Sequence, residues 1–106
     1  MRCYDLLALS LEIIRSFPRD QKFLLGSRLQ NLLSDLLETY IEAAYTSDQK
    51  LKKEKLHHAN IQLEKLRFFL RLAFDKNFLS AGRYRECSEK IQELGRMTGG
   101  WLKTLG

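Results

Sequence analysis

The chain has 106 residues, of which 44% are hydrophobic and 29% charged, so it can form a core and stay in solution. It has one proline and no run of small polar residues, which argues against a linker, a second domain or a turn-rich all-β fold. We expect one domain over residues 1–106. The net charge is +5, but residues 1–48 sum to −2 and residues 49–106 to +7. The basic second half indicates an anionic partner.

The apolar residues recur every three or four positions, which is the helical period. The first helix is predicted over residues 4–16, and Phe17-Pro18 ends it because the residue before a proline is pushed out of helical geometry. Pro18 suits the first turn of the second helix, predicted over residues 19–45. The predicted core face of the first helix is Tyr4, Leu7, Leu11 and Ile14. That of the second is Leu25, Leu29, Leu32, Leu36, Tyr40 and Ala43.

The third helix is predicted over residues 48–76, with N-cap candidates at Thr46-Ser47-Asp48 and a stop at Asn77. Ser80 is the predicted cap of the fourth helix. Helices of this length joined by short turns lie antiparallel, so the predicted fold is an all-α, up-down-up-down four-helix bundle. The core seam of the third helix is Leu56, Ala59, Leu63, Leu66, Leu70 and Ala73. The core side of the fourth is Tyr84, Cys87, Ile91, Leu94, Trp101 and Leu105.

The third helix carries a second apolar stripe, nearly opposite its core seam. A patch of this kind on a soluble bundle usually marks an interface. We therefore predict self-association; the alternative is a twisted bundle whose end turns cover the stripe. The predicted oligomer interface is Ile61, Phe68, Phe69 and Leu72.

Cations form rows on the third and fourth helices, a spacing that suits neutralisation of phosphates. The alternative is a solvated face, since Glu54, Glu64 and Glu89 interleave and can form pairs along each helix. On the fourth helix the row is Arg85, Glu89, Gln92, Arg96, Gly99 and Lys103. On the third it is Lys53, His57, Asn60, Glu64, Arg67 and Arg71. The predicted nucleic-acid-binding residues are Lys50, Lys52, Lys53, Arg67, Arg71, Arg85, Arg96 and Lys103.

Little in the sequence suggests catalysis or a cofactor. Cys3 and Cys87 are too few for a disulfide framework or a four-thiolate metal site, and free thiols fit a reducing cytoplasm. His57 and His58 are adjacent, so on a helix they diverge by about 100° and cannot chelate one metal ion. No apolar run is long enough to cross a membrane. We expect a cytoplasmic non-enzyme with no metal and no cofactor.

Glycines inside the predicted helices need a reason, because each costs about 1 kcal/mol relative to alanine. Gly26 suggests the close approach of another backbone. Gly95, Gly99 and Gly100 suggest tight packing against a neighbour or a bend that docks Trp101. The alternative is a helix that frays after Met97.

Several segments, taken in order, resemble one family. They are Phe17-Pro18-Arg19, Leu25-Gly26 with Arg28, residues 63–67 and 70–73, and Gly95-Arg96-Met97 with Gly99-Gly100-Trp101. Together they resemble the accessory variability determinant (Avd) proteins of diversity-generating retroelements. The Asn-Ile-Ala-Glu-Gly segment usual in the related 23S rRNA intervening-sequence proteins is absent, and residues 36–40 read Leu-Leu-Glu-Thr-Tyr.

The resemblance implies four-helix bundles in a homopentameric ring with a basic surface. It implies partners as well: a reverse transcriptase and nucleic acid, whether RNA, DNA or an RNA/DNA hybrid, during mutagenic copying of a template RNA into cDNA. The cations that match the family segments are Arg67, Arg71 and Arg96. Two alternatives stay open, a structural adaptor whose charges serve solubility and an rRNA-binding protein like those of the intervening-sequence family.

Overall fold

The computed structural model describes residues 2–106. Four helices fill this part of the chain, and no strand occurs in it. Helix α1 is Arg2–Ile14. Helix α2 spans residues 19–45 as three continuous segments, Arg19–Gln21, the π-helical Lys22–Gly26 and Ser27–Tyr45. Helix α3 is Gln49–Asp75, and α4 is Ala81–Thr104.

The helices form an elongated four-helix bundle with extents of 44 × 22 × 20 Å. Helix α2 packs against α3, α3 against α4, and α1 against both α2 and α4. Each helix therefore has two neighbours, and the four surround one apolar core. The predicted core stripes of α2 and α3 are confirmed, since all twelve of their residues are buried.

Local signals set the helix boundaries. The Asp48 carboxylate accepts hydrogen bonds from the Lys50 and Leu51 amides, at 3.0 and 3.3 Å, and so caps α3. Asn77 has a φ of 63°, in the left-handed region that ends helices. The Ser80 hydroxyl accepts from the Arg83 amide at 3.2 Å and caps α4. These predicted stops and caps are confirmed.

The predicted core face of α1 is wrong in part. Tyr4 and Leu11 are 60% and 46% exposed, and Leu7 is only half-buried. Because α1 packs against both α2 and α4, a rotated face is buried, and Ile14 is the one predicted residue that is fully part of it. The buried residues of α1 are Cys3, Leu6, Leu9, Ser10, Ile13 and Ile14.

Gly26 lies at the end of the π-helical segment, against the Ile14 side chain of α1. A Cβ atom at this position would lie 2.8 Å from Cγ2 of Ile14. The glycine therefore makes room for a neighbouring side chain, whereas the sequence suggested a neighbouring backbone. A larger residue here would push α1 away from α2.

Helix α4 continues well past its glycines. It ends at Thr104, so the alternative of fraying after Met97 is wrong. Trp101 packs half-buried against the core from within this helix. A Cβ atom at Gly99 or Gly100 would have no neighbour within 4 Å, so packing within the described residues does not require either glycine.

Candidate nucleic-acid interface and assembly surfaces

Helices α3 and α4 border one groove, and Arg67 of the α3 row lines it. Near one end of the groove, Nζ of Lys53 donates to the Gly106 carbonyl at 3.1 Å. Further along, a guanidinium nitrogen of Arg67 would lie 3.5 Å from a Cβ atom at Gly95. The groove beyond has a volume of about 400 Å³ and is lined by Arg67, Tyr84, Ser88 and Gln92. Packing thus brings Arg67 of the α3 row and Gln92 of the α4 row to one groove, whereas Arg85, Arg96 and Lys103 are not among its lining residues.

An aromatic stack lies at the other end of this groove. The Phe74 ring of α3 stacks on the Tyr84 ring of α4, with 4.6 Å between centroids and 4° between planes. Arg71 lies in the same region, and its hydrogen bond and charge interaction with Asp75, together with the neighbouring Tyr84, raise the pKa of its guanidinium. The stack fixes the register of α3 against α4 and so the relative placement of their cations.

Three cations of α4 have no carboxylate partner among the described residues. Arg85, Arg96 and Lys103 are exposed, and within residues 2–106 no carboxylate oxygen lies within 4 Å of their charged groups. On α3, by contrast, Arg67 pairs with Glu64 and Arg71 with Asp75. The α4 row is therefore free to contact an external anion, whereas Arg67 and Arg71 would first exchange a partner.

The lysines at the start of α3 oppose the local helix dipole. Positive side chains are unfavourable near a helix N-terminus, which carries partial positive charge. Lys50 and Lys52 nevertheless lie in the first turn, and in the described part of the chain neither forms an ion pair. Lys55 pairs with Glu42 at 2.7 Å. Helix stability does not explain why Lys50 and Lys52 lie in the first turn of α3. An external anion bound there would neutralise their charges.

The second apolar stripe of α3 is exposed within this chain. Phe68 is 74% exposed, Ile61 54% and Leu72 42%. The alternative that end turns cover these three residues is therefore wrong. Phe69 is half-buried, and the Arg28 guanidinium lies 5.4 Å from its ring centroid.

Sequence reasoning missed two further exposed apolar groups. One is Tyr4 and Leu11 on α1, which it assigned to the core. The other is Phe23 and Leu24 in the π-helical segment. The polar neighbours Asp5 and Glu12 on the outward side of α1 were an available signal, because the exposed face of an amphipathic helix collects charged residues.

The two thiols lie in the core. Burial raises the pKa of Cys3 and of Cys87 to about 11, so both are protonated near neutral pH and are poor nucleophiles. Beside Cys3, the Tyr40 hydroxyl is hydrogen-bonded to that of Thr98 at 2.6 Å, and burial raises the pKa of this phenol as well. This hydrogen bond links α2 to the diagonally opposite α4 across the core.

A comparison with protein families identifies the chain. A family model described as bAvd-like matches residues 1–105. The chain belongs to the bAvd-like family. The resemblance to the Avd proteins is thereby confirmed over nearly the whole sequence. A comparison with curated proteins found no match.

The described part of this bAvd-like chain is residues 2–106. Among them, no group of three or more histidine, cysteine, aspartate or glutamate side chains is placed to hold a metal ion. No helix in that range combines the length and the apolar character needed to cross a membrane. The surfaces that distinguish this bundle are the α3–α4 groove and the exposed apolar groups.

Proposed function

We propose that this chain is a non-catalytic accessory protein of a diversity-generating retroelement, which binds nucleic acid and the element's reverse transcriptase. The observation that carries the proposal is the bAvd-like match over residues 1–105. As a member of this family, the chain would assist the mutagenic copying of a template RNA into cDNA, and the polymerase would be a separate protein. The reverse-transcriptase partner comes from family membership alone.

The unpaired cations on the exposed side of α4 support the nucleic-acid part of the proposal. They project from one rigid helix, so they can neutralise successive phosphates without reading bases. In this proposal Arg85, Arg96 and Lys103 make the main contacts. Arg67 and Arg71 add to them after releasing Glu64 and Asp75. The lysines that begin α3 extend the same surface: Lys50, Lys52 and Lys53.

The exposed stripe of α3 supports the homo-oligomeric part of the proposal. Ile61, Phe68, Phe69 and Leu72 would be covered in a ring, for which the family indicates five subunits. Each copy would then present the cations of its own α3 and α4. The net charge of +5 per chain would thereby add up to a large basic surface on the assembly. A repeated surface also binds one RNA at several points, which raises the overall affinity.

The test is a charge reversal on α4. The triple variant Arg85→Glu, Arg96→Glu and Lys103→Glu should lose RNA binding in low salt while its circular dichroism stays helical. A matched control reverses three exposed cations elsewhere, with Arg15→Glu, Arg19→Glu and Lys22→Glu, and should still bind. Unchanged RNA binding by the α4 variant would exclude this surface as the RNA-binding site.

A second experiment is copurification of this chain with the reverse transcriptase, followed by sequencing of the bound RNA. If neither the reverse transcriptase nor RNA copurifies, the proposed function is contradicted.

A further inference from the structure

The outward face of α1 has the form of a docking helix. Tyr4, Ala8 and Leu11 occupy positions i, i+4 and i+7, and all three are exposed. Helices that bind in grooves carry their apolar anchors at this spacing. Asp5 and Glu12 follow one edge of the stripe, seven residues or about 10.5 Å apart at 1.5 Å per residue.

The two carboxylates on α1 are nearly free. Within residues 2–106, no cationic group lies within 4 Å of Asp5. Glu12 is 3.9 Å from Arg83, which lies nearer to Glu86, at 3.5 Å. The α1 face therefore combines an apolar stripe with negative charges that are available to a partner.

A groove of complementary character lies between the π-helical segment of α2 and the end of α3. Its volume is about 580 Å³, and its walls include Leu24, Phe69 and Leu72. Leu24 is 65% exposed, so this apolar surface has no cover in the chain itself. Arg28 and Lys76 also line the groove. In the described part of the chain, neither has a carboxylate oxygen within 4 Å.

We propose that the outward face of α1 from one copy docks into the α2–α3 groove of a second copy. This inference rests on the homo-oligomer of the proposed function and names the surfaces that meet. The apolar stripe of α1 covers Leu24 and Leu72, while the carboxylates of Asp5 and Glu12 face Arg28 and Lys76. The occupant is a second copy because α1 packs through its opposite face into its own bundle. Charge complementarity of this kind sets orientation and excludes wrong partners.

The proposal determines the symmetry of the assembly. The two surfaces differ, so the contact is heterologous and each copy offers one α1 face and one groove. Such contacts close into a ring or continue as a filament, and they do not produce an isologous dimer. Arg85, Arg96 and Lys103 of α4 belong to neither surface, so the assembly leaves them free for nucleic acid.

Charge reversal and its rescue test this contact without RNA or reverse transcriptase. The variants are Asp5→Lys with Glu12→Lys, Arg28→Glu with Lys76→Glu, and all four changes together. By sedimentation velocity, each pair alone should shift the native oligomer toward the 12.5 kDa chain, because like charges then face each other. The fourfold variant should recover the native mass, since the opposite charges are restored. A matched control, Glu38→Lys with Glu89→Lys, should keep the native mass.

The outcomes separate this contact from the wider proposal. The oligomer could survive charge reversal of Asp5 and Glu12 but dissociate in the Phe68→Glu, Leu72→Glu variant. That result would overturn the α1 contact and leave the proposed homo-oligomer standing. A native protein that sediments as a single chain would overturn both, and RNA binding by the α4 row would still be testable. Circular dichroism checks whether each variant with a charge-reversed pair folds. Where one does not, the variant Leu11→Ala with Leu24→Ala, which keeps every charge, should still lower the mass of the oligomer. An unchanged mass for that variant would contradict the contact.

Discussion

The outward sides of α3 and α4 differ in chemistry although both helices cover the same core. Helix α3 exposes Ile61, Phe68 and Leu72, which water does not solvate well. Helix α4 exposes Arg85, Arg96 and Lys103 without partners in the described chain. The proposed function therefore assigns assembly to α3 and anion binding to the neighbouring α4.

Making the exposed α3 stripe acidic should have the largest effect on the protein. Phe68→Glu with Leu72→Glu should give a smaller species by light scattering and keep the helical circular dichroism. RNA affinity should also fall, by about 10²–10⁴-fold if several subunits hold one RNA, although no α4 cation is changed. As a control, Tyr45→Glu with Met97→Glu replaces exposed apolar residues elsewhere and should retain both mass and affinity. A native mass for the stripe variant would contradict the role given to this stripe.

A second prediction contrasts the two apolar sides of α3 by stability. In the Phe68→Glu, Leu72→Glu background, Leu66→Ala should lower the free energy of unfolding by about 2–5 kcal/mol, because Leu66 is fully buried and a cavity remains. Ile61→Ala in the same background should change it by no more than about 0.5 kcal/mol, as at other exposed sites. Urea denaturation measures both. Equal costs would mean that Ile61 is buried within the single chain.

The smallest expected effect concerns the glycines of α4. Gly99→Ala and Gly100→Ala should each raise the free energy of unfolding by about 0.4–1 kcal/mol, because alanine restricts the unfolded chain. Apart from the adjoining turns of the same helix, no atom of the described residues lies within 4 Å of the added methyl group. Urea denaturation again supplies the measurement, with RNA affinity recorded alongside. A lower stability would contradict the open surroundings of these glycines. Affinity should stay unchanged if phosphates are bound by side chains alone.

The sequence predicted the fold best where its pattern repeats over many turns. The core stripes of α2 and α3 each extend along a helix of 27 residues. One residue that departs from the apolar pattern therefore changes the predicted core face very little. Helix α1 has only 13 residues and large apolar side chains on two sides. A single periodic pattern could not decide which side is buried, and Tyr4 and Leu11 were assigned to the core. The burial depends on where α2 and α4 lie, which is tertiary information.

The sequence predicted the candidate surfaces of single helices, but not which residues of different helices lie next to each other. Cations at helical spacing indicated a row on each helix. The structure places Arg67 beside Gly95 and Lys53 beside Gly106. These contacts depend on how α3 and α4 align across the turn that joins them. The groove beside Leu24 depends on a π-helical segment, for which the sequence carries no clear signal apart from the costly Gly26. Periodicity identified the α3 stripe, and packing revealed the second apolar surface on α1.

The most direct test of the central claim is the salt dependence of RNA binding by the native assembly. If phosphate contacts from the α4 row dominate, the logarithm of the affinity should fall linearly with the logarithm of the salt concentration. Arg96→Gln should then make the slope shallower by about 0.7 for each single-strand phosphate contact that is lost. An affinity that does not change with salt, or an equal slope in the Arg96→Gln variant, would contradict the account.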